Sequence, residues 1–308
     1  MEAWLFPGQG SQFVGMGAGL SGPAADATFA TAHLELGWDV RSVCHDGPKE
    51  LLGATEVSQP AILAVSMSIA RTLEAAGRHP DAVAGHSVGE LGALVVAGAL
   101  DMADAFRLIQ VRATAMAEAG REHEGGMAAV IGLDPDEVSR ACTSTGRDVR
   151  VAAINGPDQI VISGERGGIP VAAEQLRSVG ARRVIPLDVS VAAHSPLMRR
   201  ARAMLEEALR GVEINPPTIP FVSCITGRSC ERPDEIRHVL SAALTDSIRW
   251  VGAVRTLTAV GVSSFVEIGP GTVLSGLVHR IVPEVDVFAV GDDESIREIS
   301  LVAGRAAR

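Results

Sequence analysis

The chain has 308 residues, 47% of them apolar and 21% charged, the balance of a folded globular protein with enough length for one large core or two domains. Its formal charge of −10 at pH 7 argues against general nucleic-acid binding, which needs a broad basic surface. The longest apolar runs, such as Ala93–Leu100, are broken by glycine and fall short of the ~18 residues of a membrane span, so no bilayer crossing is expected. At the start of the chain Glu2 stands where a signal peptide carries basic residues, and Pro7-Gly8 cuts the apolar run short, so the expected location is cytoplasmic.

Ala3–Phe6 reads as a short strand that ends in the Gly-rich turn Pro7–Gln12. The first strand of an α/β sheet is usually central, which would put this turn at the carboxyl edge where ligands collect. Ser58-Gln59-Pro60 is expected to open a helix through about Ala76, with apolar residues recurring at Ile62, Val65, Ile69 and Leu73. Asp81–Gly85 reads as a buried strand, His86-Ser87-Val88 as a turn, Gly89–Ala99 as an apolar helix, and Met102–Ala119 as a further helix with Arg112 in its middle.

From Gly125 the texture changes to short alternating segments. Strands are expected at Met127–Gly132, Val149–Ile154, Gln159–Ser163 and Arg183–Leu187, and helices at Pro135–Thr145 and Ile169–Val179. Their order is β-α-β-β-α-β, the ferredoxin-like unit. The expected architecture is therefore α/β, with a ferredoxin-like small domain (residues 125–188) inserted into a large domain built on a parallel sheet (residues 1–124 and 189–308). Pro196–Leu209 then reads as a helix, Phe221–Thr226 and Ser264–Ile268 as strands, and Gly269-Pro270-Gly271 as a turn before another apolar helix.

Gly85-His86-Ser87-Val88-Gly89 fits the pattern of a nucleophile elbow, where flanking glycines let a strained strand-to-helix turn expose a serine hydroxyl. Alone, such a pattern is more often a tight turn without chemistry; here the strand before it and the helix after it supply the required context. Serine needs a base to act as a nucleophile at neutral pH. Among eight histidines His194 is the candidate, because it follows a strand-like stretch and precedes a Pro-started helix; a plain loop histidine fits that position equally well. The four cysteines, Cys44, Cys142, Cys224 and Cys230, lack the paired Cys-x2-Cys spacing of a zinc site, and no metal is expected.

Six ordered segments, Phe6–Gln12, Gly85–Glu90, Arg112, Asn155-Gly156-Pro157, Val189–Met198 and Glu267–Gly271, together resemble the malonyl-CoA:acyl carrier protein transacylases and the acyltransferase domains of polyketide synthases. The resemblance covers most of the chain and implies an α/β-hydrolase-like large domain. It also implies a ping-pong transfer of malonyl from coenzyme A, through an ester on a serine, to the phosphopantetheine thiol of an acidic acyl carrier protein. Ser87 resembles the nucleophile and His194 the general base. Gln9 resembles the residue of the oxyanion loop, with the backbone N–H groups of Gln9 and Val88 facing the tetrahedral oxygen. A backbone carbonyl, assigned to Arg249, would orient the histidine in place of an acid.

By the same resemblance Arg112 pairs with the free malonyl carboxylate, since a guanidinium fork grips a carboxylate bidentately; its bland alternative is a helix-surface arginine. Val88 is of the aliphatic type seen in malonyl-selecting relatives. Ala193 departs from the pattern, standing where those enzymes carry Ser or Phe, so substituted malonyl groups stay open as substrates. Arg199, Arg200 and Arg202 are the candidates for a carrier-docking rim, with a solvated helix face as the alternative. The expected protein is a monomer with no cofactor, coenzyme A thioester serving as substrate. The competing readings are a hydrolase or thioesterase, a natural-product acyltransferase for a non-malonyl group, and a non-catalytic subunit that docks a carrier protein.

Overall fold

Glu2–Phe6 forms strand β1, in which Ala3, Trp4, Leu5 and Phe6 are wholly buried. A strand buried on both faces belongs inside a helix-covered parallel sheet, and β1 is the middle strand of one. The computed structural model describes residues 1–306. After β1 come helices α1 (Pro23–Leu36), α2 (Val40–Asp46), α3 (Lys49–Gly53) and α4 (Thr55–Ala75), then β2 (Ala82–Gly85), α5 (Gly89–Val96) and α6 (Met102–Glu122). A second group runs β3 (Gly125–Ile131), α7 (Pro135–Ser144), β4 (Val149–Gly156), β5 (Gln159–Glu165), α8 (Gly168–Ser178) and β6 (Arg183–Pro186). The chain returns through a 3-10 turn at Pro196–Met198 to α9 (Arg199–Arg210), β7 (Phe221–Val222), α10 (Pro233–Ala242) and α11 (Trp250–Ala259). It ends with β8 (Ser264–Ile268), α12 (Val273–Ile281), β9 (Asp286–Val290) and α13 (Asp293–Ala306).

The first and third groups build a five-stranded parallel sheet in the order β7-β2-β1-β8-β9. Its register sets Phe6 beside Gly85 and Leu5 beside Glu267, so the carboxyl ends of β1, β2 and β8 open onto one edge. The second group makes a separate antiparallel sheet, β4-β5-β3-β6, whose core with α7 and α8 includes Val130, Ile160, Ile162, Val138 and Leu176. The capping box of Asp134 and Glu137, with Pro135 at the first helical position, starts α7 where the sequence predicts it. The small sheet is tied to the segment that leads into α11 by Ile154 N–H to Ile248 O and Ile248 N–H to Ala152 O, at 2.8 and 2.9 Å.

Two glycines permit the turn between β2 and α5. A Cβ on Gly89 would sit 2.1 Å from the Phe6 carbonyl oxygen, and one on Gly85 would sit 2.1 Å from the Gly89 carbonyl carbon. Backbone therefore packs on backbone, which only glycine allows.

The structure differs from the sequence expectation in several elements. Helix α4 begins at Thr55, with Pro60 inside it; the proline removes only the bond to the carbonyl of Glu56, one turn from the helix start. Helix α5 stops at Val96 rather than Ala99. The strand expected at Phe221–Thr226 shrinks to Phe221–Val222, because the Cys224 N–H is taken by the Glu90 side chain instead of a neighbouring strand. Helices α1 to α3, α10, α11 and α13 and strand β9 were not expected. Helix α1 buries small residues such as Ala25 and Ala32 and has almost no amphipathic contrast, while α2 and α3 are too short for periodicity to register.

Replacing Gly89 by Ala is expected to destabilise the protein by about 3 kcal/mol or more, since the obstacle is backbone. Replacing Gly276 in α12, where an added Cβ meets nothing within 4 Å, is expected to stabilise by roughly 0.5–1 kcal/mol. Urea unfolding of both variants checks the pair.

Candidate active site

Ser87 occupies the turn between β2 and α5 with φ 55°, in the left-handed region that side chains other than glycine rarely adopt. Its Oγ lies 3.2 Å from Nε2 of His194 and 2.9 Å from Nη2 of Arg112. His194 is also left-handed, at φ 59°, and is 6% exposed. It stands in the segment before the 3-10 turn, where the Ser195 hydroxyl accepts from Leu197 N–H. The structure thus brings together the predicted nucleophile, the predicted base and the predicted arginine from three separate stretches of chain.

Arg112 reaches the site from the middle of α6, whose start is fixed by the Asp101 carboxylate accepting from the N–H groups of Ala103 and Asp104. It is 4% exposed, so the reading as a surface arginine fails. Its Nη1 donates to Oε1 of Gln59, the Gln59 amide donates to Oε1 of Gln9 at 3.1 Å, and the Gln9 amide donates to the Thr55 hydroxyl at 3.2 Å. A continuous chain of polar side chains therefore runs from the Gly-rich loop after β1 to the nucleophile. Sequence reasoning missed Gln59, although a glutamine just before a proline in an otherwise apolar helix is the signal that marks it.

The N–H groups of Gln9 and Val88 donate to no acceptor among the described residues. The Val88 side chain is 2% exposed and packed beneath the turn, so this residue offers the site its backbone and not its aliphatic group. Ala193 is 8% exposed. His86 turns away from Ser87: its Nε2 pairs with Oδ1 of Asn155 at 2.9 Å and its ring meets the edge of Trp250. This contact joins the nucleophile turn to β4 of the small sheet. A cleft of about 1110 Å³ opens beside Gln9 and Thr55 and is also lined by Asp188–Ser190.

Burial pushes the His194 imidazole down to about 3, helped by the charges of Arg112 and His86, while backbone groups of Ala243 and Asp246 work in the other direction. The free imidazole is therefore neutral, the form that accepts a proton. Arg112 is lowered to about 10, again by burial, with Glu90 and Cys224 opposing, so it stays charged at neutral pH.

The assignment of Arg249 as the residue orienting His194 is corrected. Its carbonyl accepts from Ala253 N–H at 3.0 Å as the opening bond of α11, and its N–H donates to Cys224 O. Among the described residues Nδ1 of His194 has no hydrogen-bond partner, and the backbone groups acting on the ring are those of Ala243 and Asp246. The arginines after His194 lie on the first turn of α9. Arg200 is paired with Glu122, and Arg202 with Glu206 and Thr245, whereas Arg199 is exposed and in no ion pair among the described residues. No group of three or more His, Cys, Asp or Glu among the described residues could hold a metal ion.

Residues 3–292 match the model of the acyl transferase domain family. The chain is 38% identical over 299 residues to the malonyl CoA-acyl carrier protein transacylase of Escherichia coli (strain K12), covering 96% of this chain and 97% of that one. It is 40% identical over 299 residues to the enzyme of the same name from Bacillus subtilis (strain 168), covering 96% and 94%. Its structure is similar to the malonyl-transacylase in the solved complex PlMCAT:AntF with a type II PKS acyl-carrier protein, at a TM-score of 0.94 and 39% identity, covering 98% of this chain and 99% of that one.

With its imidazole lowered to about 3, His194 is expected to show no protonation step between pH 8 and pH 5 in the free protein. Histidine-selective NMR over that range checks it, and a midpoint near the ordinary ~6.5 would contradict the burial argument.

Proposed function

The chain belongs to the acyl transferase domain family, and from that premise we propose that it transfers malonyl from coenzyme A to the phosphopantetheine thiol of an acyl carrier protein. It acts in fatty-acid or polyketide synthesis. The observation that carries the reading is the placement of Ser87 Oγ between the neutral His194 and the charged, buried Arg112.

In the proposed cycle His194 Nε2 takes the Ser87 proton as Oγ attacks the thioester carbonyl, and the N–H groups of Val88 and Gln9 hold the oxyanion. The tetrahedral intermediate collapses, the C–S bond breaks, and coenzyme A leaves with the proton returned by His194. The carrier thiol then gives its proton to His194 and attacks the ester, and Ser87 leaves reprotonated. Every atom and electron balances without a cofactor, coenzyme A serving only as the donor's leaving group.

Arg112 connects recognition with reactivity. In the free protein one guanidinium nitrogen donates to the nucleophile itself. A malonyl carboxylate competes for that donor, both releasing Ser87 and satisfying a buried cation that a neutral acyl group leaves unpaired. The intact set of Ser87, His194, Gln9 and Arg112 speaks against a mere docking subunit, and the position of His194 ahead of the last strands speaks against a hydrolase triad order. The large unit is read as α/β-hydrolase-like (residues 1–124 and 189–308) and the small one as ferredoxin-like (125–188), acting as a cytoplasmic monomer. For carrier docking we assign the rim formed by Arg199, Arg200 and Arg202, of which Arg199 is the one without an acidic partner among the described residues.

Incubation with malonyl-, methylmalonyl- or acetyl-CoA, followed by intact-mass measurement after a rapid quench, tests the proposal. A malonyl adduct is expected that disappears in Ser87→Ala. In Arg112→Ala the malonylation rate is expected to fall roughly 10- to 100-fold, the loss of a charge-assisted pair, with little preference left over acetyl. Intact coenzyme A esters and an unmodified protein would overturn the transferase reading.

A further inference from the structure

Ser87 is also held from behind, by groups that the proposed proton transfers do not use. In its left-handed conformation its N–H leaves the line of β2 and donates to Sγ of Cys224 at 3.4 Å. Cys224 follows β7, and its own N–H donates to Oε1 of Glu90 at 2.8 Å. Glu90 sits three residues after Ser87 in the first turn of α5 and is wholly buried. The three residues close a ring through the turn, the helix and the 223–225 loop. The Cys224 carbonyl accepts from Arg249 N–H at 2.6 Å, so the ring is fastened to α11 as well.

Neither group suits a core chosen for stability alone. Oε2 of Glu90 has no hydrogen-bond partner among the described residues, and burying a carboxyl with part of its bonding capacity unmet is costly. Burial raises this carboxyl to about 7, while Ser223, Cys224 and the charge of Arg112 oppose the rise. Cys224 is a buried free thiol, held well above its ordinary range by burial and so present as the neutral SH. It is therefore an acceptor for Ser87 N–H and not a competing nucleophile.

We propose that Glu90 and Cys224 are positioning residues for the acyl transfer. The Glu90 carboxyl fixes the 223–225 loop, and the Cys224 sulfur engages the Ser87 N–H. Oγ is thereby aimed at His194, and the N–H of Val88 remains the donor that the turn offers to the substrate oxygen. This rests on Ser87 being the acyl acceptor. A left-handed serine is strained and persists where its surroundings over-determine it; the bond from its N–H to Cys224 is one such contact beside the glycine packing of the turn, and small misplacements of a nucleophile cost large factors in rate.

The test compares Cys224→Ala with Cys224→Ser, and Glu90→Leu with Glu90→Gln. For each, the single-turnover rate of Ser87 malonylation, KM for malonyl-CoA and the urea unfolding midpoint are measured. Cys224→Ala is expected to slow malonylation about five- to thirtyfold, the worth of one hydrogen bond in the reacting geometry, with KM unchanged. Cys224→Ser, whose hydroxyl can accept the same N–H, is expected to recover to within about threefold of the native rate. Glu90→Gln keeps an amide oxygen for Cys224 N–H and is expected to behave likewise, whereas Glu90→Leu slows the step. Native rates in Cys224→Ala, equal slowing in the alanine and serine variants, or losses that follow the unfolding midpoint would overturn the proposal. If Glu90→Leu does not fold, the Cys224 pair decides. A native protein that takes no malonyl would sink the functional reading itself, whereas a native protein that is labelled beside unaffected variants would sink this inference alone.

Discussion

The contact of Gly89 with the carbonyl of Phe6 is the constraint on which the site rests. It draws the first turn of α5 against the end of β1, and the adjoining close approach of Gly85 to Gly89 forces the intervening residues into a sharp turn. Ser87 takes up the strain by adopting a left-handed conformation. Because β1 is the central strand, the loop that carries Gln9 leaves the sheet directly beside that turn. That the N–H groups of Gln9 and Val88 find no acceptor among the described residues follows from this geometry, since neither belongs to a strand ladder or a helix.

The second organising feature is buried charge. Arg112 and Glu90 are both nearly or wholly inaccessible, yet they form no direct ion pair, and each offsets the other only across space. Removing charges from water without full pairing is expensive. The cost is spread along a chain of hydrogen bonds from Thr55 through Gln9 and Gln59 to Arg112 and Ser87. Burial holds His194 neutral, and the positive charge of Arg112 adds to that effect. One side chain, Arg112, therefore both touches the nucleophile and helps to keep the base neutral.

The small antiparallel sheet contributes a fixed wall rather than a reacting group. Its β4 joins the large unit through the Ile154–Ile248 and Ile248–Ala152 backbone bonds, and Asn155 pairs with His86 immediately beside the nucleophile. The turn is thus braced on both flanks, by Asn155 through His86 and by Cys224 through the Ser87 amide.

The sequence by itself determined what is encoded locally. The alternation of short strands and turns over residues 125–188, the Pro-started helix α7, and the glycines around Ser87 are near-neighbour signals, and each appears in the structure close to where it was expected. Ser87 was legible from its glycine-flanked turn and His194 from its place between a strand and a Pro-started helix, whereas Arg112 stood out only through the family resemblance. Tertiary structure alone decided what depends on contacts between distant segments: that Arg112 is buried and touches Ser87, that Gln59 completes the polar chain, that the backbone groups acting on His194 are those of Ala243 and Asp246, and that Glu90 and Cys224 stand behind the nucleophile. A side chain's charge state and hydrogen-bond partner are set by what packs around it, and the residues that pack here come from segments 25 to 137 positions apart.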